Sequence, residues 1–79
     1  MPATDNRVIL VVTETLRRPA GSVKPEHHLR KDLGATSFQL ADLIVGLEDE
    51  FELDFTAEDL ESVATVQDFQ RLVAEKFLA

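Results

Sequence analysis

Between residues 37 and 52 the apolar positions recur at helical spacing: Leu40, Leu43, Ile44, Leu47 and Phe51 form one stripe. That spacing predicts an amphipathic helix. Half a turn away lies a second stripe of Phe38, Asp42, Val45 and Asp49, which should face water. Residues 5–17 are more ambiguous. The β-branched run from Val8 to Val12 favours a strand on propensity alone. A helix would instead gather Val8, Ile9, Val11, Val12 and Leu16 on one broad face. It would also place Asp5 near its start and Arg17-Arg18 at its end, as the macrodipole prefers. No second segment reads as a pairing strand, so the helix is the better reading.

Two further helices complete the pattern. Residues 55–60 predict a short helix with Thr56 as N-cap and acids in the first turn. Thr65 starts the last helix, with Asp68 in the capping-box position where Glu or Gln is usual. Its inner face is expected to hold Val66, Phe69, Val73 and Phe77. The expectation is an all-α bundle, with three main helices and one short one, in a single domain spanning 1–79.

The stretch between the first two main helices is irregular. Pro19 to Pro25 stops the first helix, and a loop then runs to about Thr36. A loop this long in so small a chain is often functional. Leu29 and Leu33 are its expected anchors in the core. His27 and His28 are expected to be solvent-exposed. Adjacent side chains point in different directions, and neither has a carboxylate or cysteine at ligand spacing, so no metal site is assigned.

Composition narrows the function. Seventy-nine residues lie near the lower limit for folding without staples, and the chain has no cysteine to supply them. No apolar run approaches the length of a membrane span, which makes the cytosol the default location. The net charge of −7 is uneven: residues 1–36 carry +2 and residues 37–79 carry −9. Nucleic acid is disfavoured as a partner, because its phosphates would be repelled. Docking to basic protein surfaces is favoured, with plain solubility as the bland alternative. The acids do not form a calcium loop, since its spacing, central glycine and final glutamate are missing.

Chemistry concentrates at Ser37. As a catalytic nucleophile it lacks a Gly-x-Ser-x-Gly elbow, and neither histidine sits in a triad-like context. It could cap the second helix, but Thr36 competes for that role. Ser37 would then stand in the first turn with an accessible hydroxyl, where the helix N-terminus favours an attached phosphodiester. The absence of cysteine agrees with a thiol supplied by an attached group. On the outward stripe of the same helix, Phe38 and Val45 interleaved with acids have the anatomy of a protein contact site. Scattered exposed apolar residues without meaning are the alternative.

From about residue 29 to 73 the chain resembles the acyl carrier protein family. The likeness is densest in Asp32-Leu-Gly-Ala-Thr-Ser37 and Leu47-Glu-Asp-Glu-Phe51, and continues in Asp54-Phe55-Thr56 and Ala64-Thr65-Val66-Gln67-Asp68. The resemblance implies a four-helix bundle and a carrier without catalysis of its own. It implies covalent 4′-phosphopantetheine on Ser37, transferred from coenzyme A by a magnesium-dependent phosphopantetheinyl transferase. The arm's thiol would hold acyl groups as thioesters for enzymes of fatty-acid, specialised lipid or polyketide synthesis. Asp42, Glu48 and Asp49 would face basic docking patches on those enzymes, with Phe38, Val45 and Glu58 alongside. The helices would shelter the acyl chain, and the protein is expected to be a monomer.

One departure stands at the key site. Thr36-Ser37-Phe38 replaces the family's usual Asp-Ser-Leu, and Gln39 replaces a common acid. A dedicated transferase or a specialised acyl pathway gains weight from this. Two alternatives remain: an unmodified helical interaction or regulatory module, and an aminoacyl or peptidyl carrier.

Overall fold

In a computed structural model, described over residues 3–78, the chain forms four helices in the order α1 (Ala3–Thr15), α2 (Ser37–Phe51), α3 (Ala57–Glu61) and α4 (Val66–Leu78). Three of the four starts use one device. Thr36, Thr56 and Thr65 each accept the backbone N–H of the residue three positions on, at 3.0–3.2 Å. Gln39, Asp59 and Asp68 each return a side-chain oxygen to the threonine's own N–H, at 2.8–3.0 Å. A helix start leaves N–H groups unpaired, and these reciprocal boxes satisfy two of them at once. Aspartate therefore serves at the third position as glutamine does.

The helix reading of residues 5–17 holds, but its limits shift. α1 ends at Thr15, so Arg17 and Arg18 lie beyond it and are not in its last turn. Arg17 has φ +55°, in the left-handed region. Its N–H reaches Glu14 O, and that of Arg18 reaches Thr13 O, which closes the helix in a Schellman turn. Glycine is usual at that position; here an arginine holds it and turns the chain toward the loop.

The core is built from α1, α2, α4 and the long loop. Val8 and Val12 of α1, Leu43 and Leu47 of α2, and Val66, Phe69 and Val73 of α4 are almost wholly buried. Val23, Leu29, Leu33 and Ala35 of the loop join them. α1 packs against both α2 and α4. At Gly46 an added Cβ would lie 3.3 Å from Val11 Cγ1, so the absent side chain allows α1 and α2 to approach closely. α3 contributes Leu60 from the side, and Phe55 ahead of it stacks at 6.1 Å on Phe69.

Phe77 corrects the expected inner face of α4. It is 50% exposed, and its ring meets that of Phe51 in a T-shaped pair at 5.8 Å. Arg7 covers the Phe51 ring at 4.5 Å while pairing with Glu50. The fourth inward position is taken by Gln70, buried on the α4 face and donating to Asp5 O. Helical spacing from Val66 and Val73 also marks Gln70, but its polarity disguises it.

The long loop is not loose. Leu29 N–H donates to Ala64 O, Val66 N–H to His27 O and Gln67 N–H to Pro25 O, at 2.9–3.1 Å. These bonds, with an isolated His28–Thr65 bridge, sew it to the α3–α4 junction.

Hydrogen bonds from the Thr65 backbone hold the Asp68 carboxyl below the usual carboxylate range, against the opposing effect of burial. The hydrogen bond from Lys76 does the same first for Asp59, with the Thr56 backbone adding to it. A depressed folded-state pKa contributes stability that is complete above the unfolded value of about 4 and lost as pH falls through the folded one. Urea titrations of Asp68→Asn should therefore show lower stability at pH 7 and a flatter decline below about pH 4 than the parent chain.

Candidate functional site at the head of the second helix

Ser37 is the first residue of α2 and is exposed. The neighbouring threonine decides what its hydroxyl can do. Thr36 holds the N-cap position, with its side chain committed to Gln39 N–H and its backbone N–H satisfied by Gln39 Oε1. The helix start is complete without Ser37. Its Oγ accepts one hydrogen bond, from the Arg30 guanidinium at 3.1 Å. No acid occupies the first turn of α2.

The approach to Ser37 is braced by backbone contacts. Asp32 and Leu33 N–H both reach His28 O, Gly34 N–H reaches Arg30 O, and Ala35 N–H reaches Leu29 O. Gly34 has φ +66°, a conformation that side chains resist. Arg18 donates to Leu33 O from the far side. His27 and His28 differ from the expected exposed, unattached residues: both are half-buried. His27 Nδ1 accepts Lys24 N–H, and His28 Nδ1 accepts the N–H groups of Arg30 and Lys31. They fold the loop, and among the described residues no cluster of His, Asp or Glu could hold a metal ion.

Beside the site lies a cavity of about 220 Å³. Leu29, Leu40, Ile44, Leu60, Val63 and Phe69 make it largely apolar, and Arg30 and His28 also line it. Arg30 thus touches both the cavity and the serine hydroxyl. Leu40 and Ile44 are only half-buried because part of each side chain faces this space.

The outward stripe is where spacing places it. Phe38 is 77% exposed and Val45 55% exposed, while Asp42 and Asp49 lie in solvent between and beyond them. Ala41, exposed on the same face, completes it. The acidic cluster does not act as a block. Glu48 is half-buried and accepts Phe55 N–H at 3.0 Å, which ties the α2–α3 connection. Glu50 pairs with Arg7, and only Asp49 of the three points along the stripe. Successive helical residues turn by about 100°, so three adjacent acids serve three surfaces. Glu58 is exposed on α3. Arg30 is the residue that sequence reasoning missed, because a loop without periodicity gives no sign of which side chain returns to the serine.

Residues 6–73 match the family described as the phosphopantetheine attachment site. A solved structure from Mycobacterium tuberculosis, described as a candidate acyl carrier protein, superposes with a TM-score of 0.86 at 30% sequence identity, covering 94% of this chain and 99% of that one. The chain belongs to the acyl carrier protein family. Acyl carrier proteins carry rather than catalyse, and their working group is a covalent 4′-phosphopantetheine. The residues present fit that group. A hydroxyl released from capping stands on the positive end of a helix, beside a guanidinium and without a carboxylate in the first turn.

If Thr36 carries the cap, its identity should matter through the side-chain oxygen alone. Thr36→Ala is expected to cost about 1 kcal/mol in urea denaturation, and Thr36→Asp to cost far less, since aspartate caps as well as threonine. An equal loss in both variants would place the cap elsewhere.

Proposed function

We propose that Ser37 bears the 4′-phosphopantetheine arm and that the protein presents acyl thioesters to partner enzymes of fatty-acid, specialised lipid or polyketide synthesis. The observation that carries this reading is the division of labour at residues 36 and 37, where the cap is supplied by one and a free hydroxyl by the other. In the loading step Ser37 Oγ forms the new bond to phosphorus and loses its proton. The phosphoanhydride bond of coenzyme A breaks, and 3′,5′-adenosine diphosphate leaves. The enzyme that does this is a phosphopantetheinyl transferase, and the cytoplasm is the setting we assign.

The acyl group would lie against the cavity between α2 and α3. At about 220 Å³ it is smaller than the 300–1,000 Å³ usual for ligand pockets. Short chains suit it as it stands, and longer ones require α3 to move away from α2. α3 is the element best suited to that, with five residues and none of them buried.

Partner recognition is assigned to Phe38, Asp42, Val45 and Asp49, an apolar pair set among acids on one helix face. Glu58 extends the acidic field on α3. Glu48 contributes charge from a more fixed position, since one of its oxygens holds the Phe55 backbone. Among the described residues neither Asp42 nor Asp49 forms an ion pair, which leaves both available to a basic patch.

Intact-mass spectrometry of protein made in its native host tests the attachment. A phosphopantetheine increment should appear and vanish in Ser37→Ala. An increment that survives that change, or none in the parent chain, rejects the reading in favour of an unmodified interaction module.

The docking face is tested by charge reversal. Asp42→Lys and Asp49→Lys should each lower kcat/KM for transferase modification by about tenfold at low salt, and by less as screening increases. Circular dichroism should show the fold unchanged. Equal kinetics at low salt would remove these residues from the contact.

A further inference from the structure

Arg30 is held more firmly than an exposed side chain on a loop needs to be. Its N–H donates to His28 Nδ1 at 3.2 Å, and its carbonyl accepts Gly34 N–H at 3.0 Å. Leu29 beside it is buried and bonded to Ala64 O. From that fixed backbone the guanidinium spans to Ser37 Oγ. The three ion pairs among the described residues use other side chains, so Arg30 is in direct contact with no carboxylate. The nearest capping residue is a neutral threonine, and α2 opens without an acid.

A guanidinium gains little from one neutral hydroxyl. Its planar fork suits an oxyanion that offers two acceptor oxygens, as a phosphate group does. We propose that Arg30 binds the phosphodiester carried on Ser37, pairing with its non-bridging oxygens, and that the neutral cap at Thr36 keeps the guanidinium available for it. The proposal rests on Ser37 being the attachment residue. Esterification removes the Oγ proton and makes Oγ a poor acceptor. The non-bridging oxygens then stand two bonds beyond the atom that Arg30 already touches, across the phosphorus. The positive end of the α2 dipole acts on the same group from the other side.

Two consequences follow from this arrangement. The root of the arm is tethered on the side where Arg30 lines the cavity, so the arm leaves the surface toward α3 and not freely into solvent. Thr36 and Arg30 also become one device. An aspartate at 36 would cap α2 equally well but would place a carboxylate beside the guanidinium and compete with the phosphodiester.

The experiment compares apo and modified forms of the parent chain, Arg30→Gln, Arg30→Lys and Thr36→Asp, each verified by intact mass. In about 10 mM salt, modification should raise the parent's Tm by about 2–5 °C, the shift expected of one exposed charge-assisted pair in a domain this small. That rise should fall by about half or more in Arg30→Gln and Thr36→Asp, be partly kept in Arg30→Lys, and shrink for the parent in about 0.5 M salt. NMR of the parent alone gives an independent reading: the Arg30 guanidinium signals should shift on modification, and the phosphorus resonance should differ from that of free phosphopantetheine diester. If the rise is the same in Arg30→Gln as in the parent, or the guanidinium signals do not move, Arg30 does not bind the phosphodiester. That outcome leaves attachment intact. No mass increment on Ser37 would instead overturn attachment and, with it, this role for Arg30. Should Arg30→Gln resist modification, the NMR comparison on the parent decides.

Discussion

The site depends on which residue caps α2. A helix start has one N-cap position, and the side chain there is consumed by the backbone. Thr36 occupies it, and Gln39 closes the reciprocal bond, so the whole requirement is met one residue before Ser37. Were the register one residue later, Ser37 Oγ would accept the backbone N–H of Gln39 or Leu40 and would not stand clear of the helix start. Capping is ordinarily a matter of stability; here it also sets which hydroxyl is chemically free.

A free hydroxyl is useful only if its surroundings are fixed, and in this chain that falls to the loop. Without disulfides, a 79-residue protein must order its long connection by burial and hydrogen bonds. Leu29, Leu33 and Ala35 supply the burial, and the bonds to Ala64, Val66 and Gln67 supply the register. The same residues that complete the core therefore position Arg30 against Ser37. His28 links the two roles, since its backbone pairs with the α3–α4 junction while its ring holds the Arg30 and Lys31 N–H groups. Stability of the fold and geometry of the site are one arrangement seen from two sides.

What the sequence disclosed follows the reach of periodicity. α2 was readable because Leu43, Leu47 and Phe51 are buried at helical spacing, and its outer stripe came from the same count. Thr56 and Thr65 were readable because caps have local signatures. Propensity misdirects at Val8 to Val12, where tertiary packing turns a β-branched run into helix. Phe77 fits the α4 pattern yet lies half outside, at the last turn of α4, with its ring set against Phe51. The histidines, the inward turn of Glu48 and the return of Arg30 to Ser37 all arise in connections, where no period links a residue to what it touches. Those contacts depend on where Ala64, Phe55 and Ser37 stand in space.

The charge layout separates two tasks that a carrier must perform together. Asp42 and Asp49 lie exposed farther along α2, while the first turn of α2 is free of acids and faced by a guanidinium. With the arm and the docking face placed as proposed, a partner's basic patch drawn to the stripe would gain little by advancing onto the phosphodiester, because Arg30 would oppose it there. That proposal leaves the arm's root to the carrier and the helix face to the enzyme. The neutral Thr36, where the family resemblance leads one to expect aspartate, sharpens that proposed boundary: it keeps negative charge off Ser37 while Phe38, Val45 and the two aspartates line the outer face. On that proposal the departure at residue 36 takes one negative charge away from Arg30 and leaves the acids farther along the helix in place.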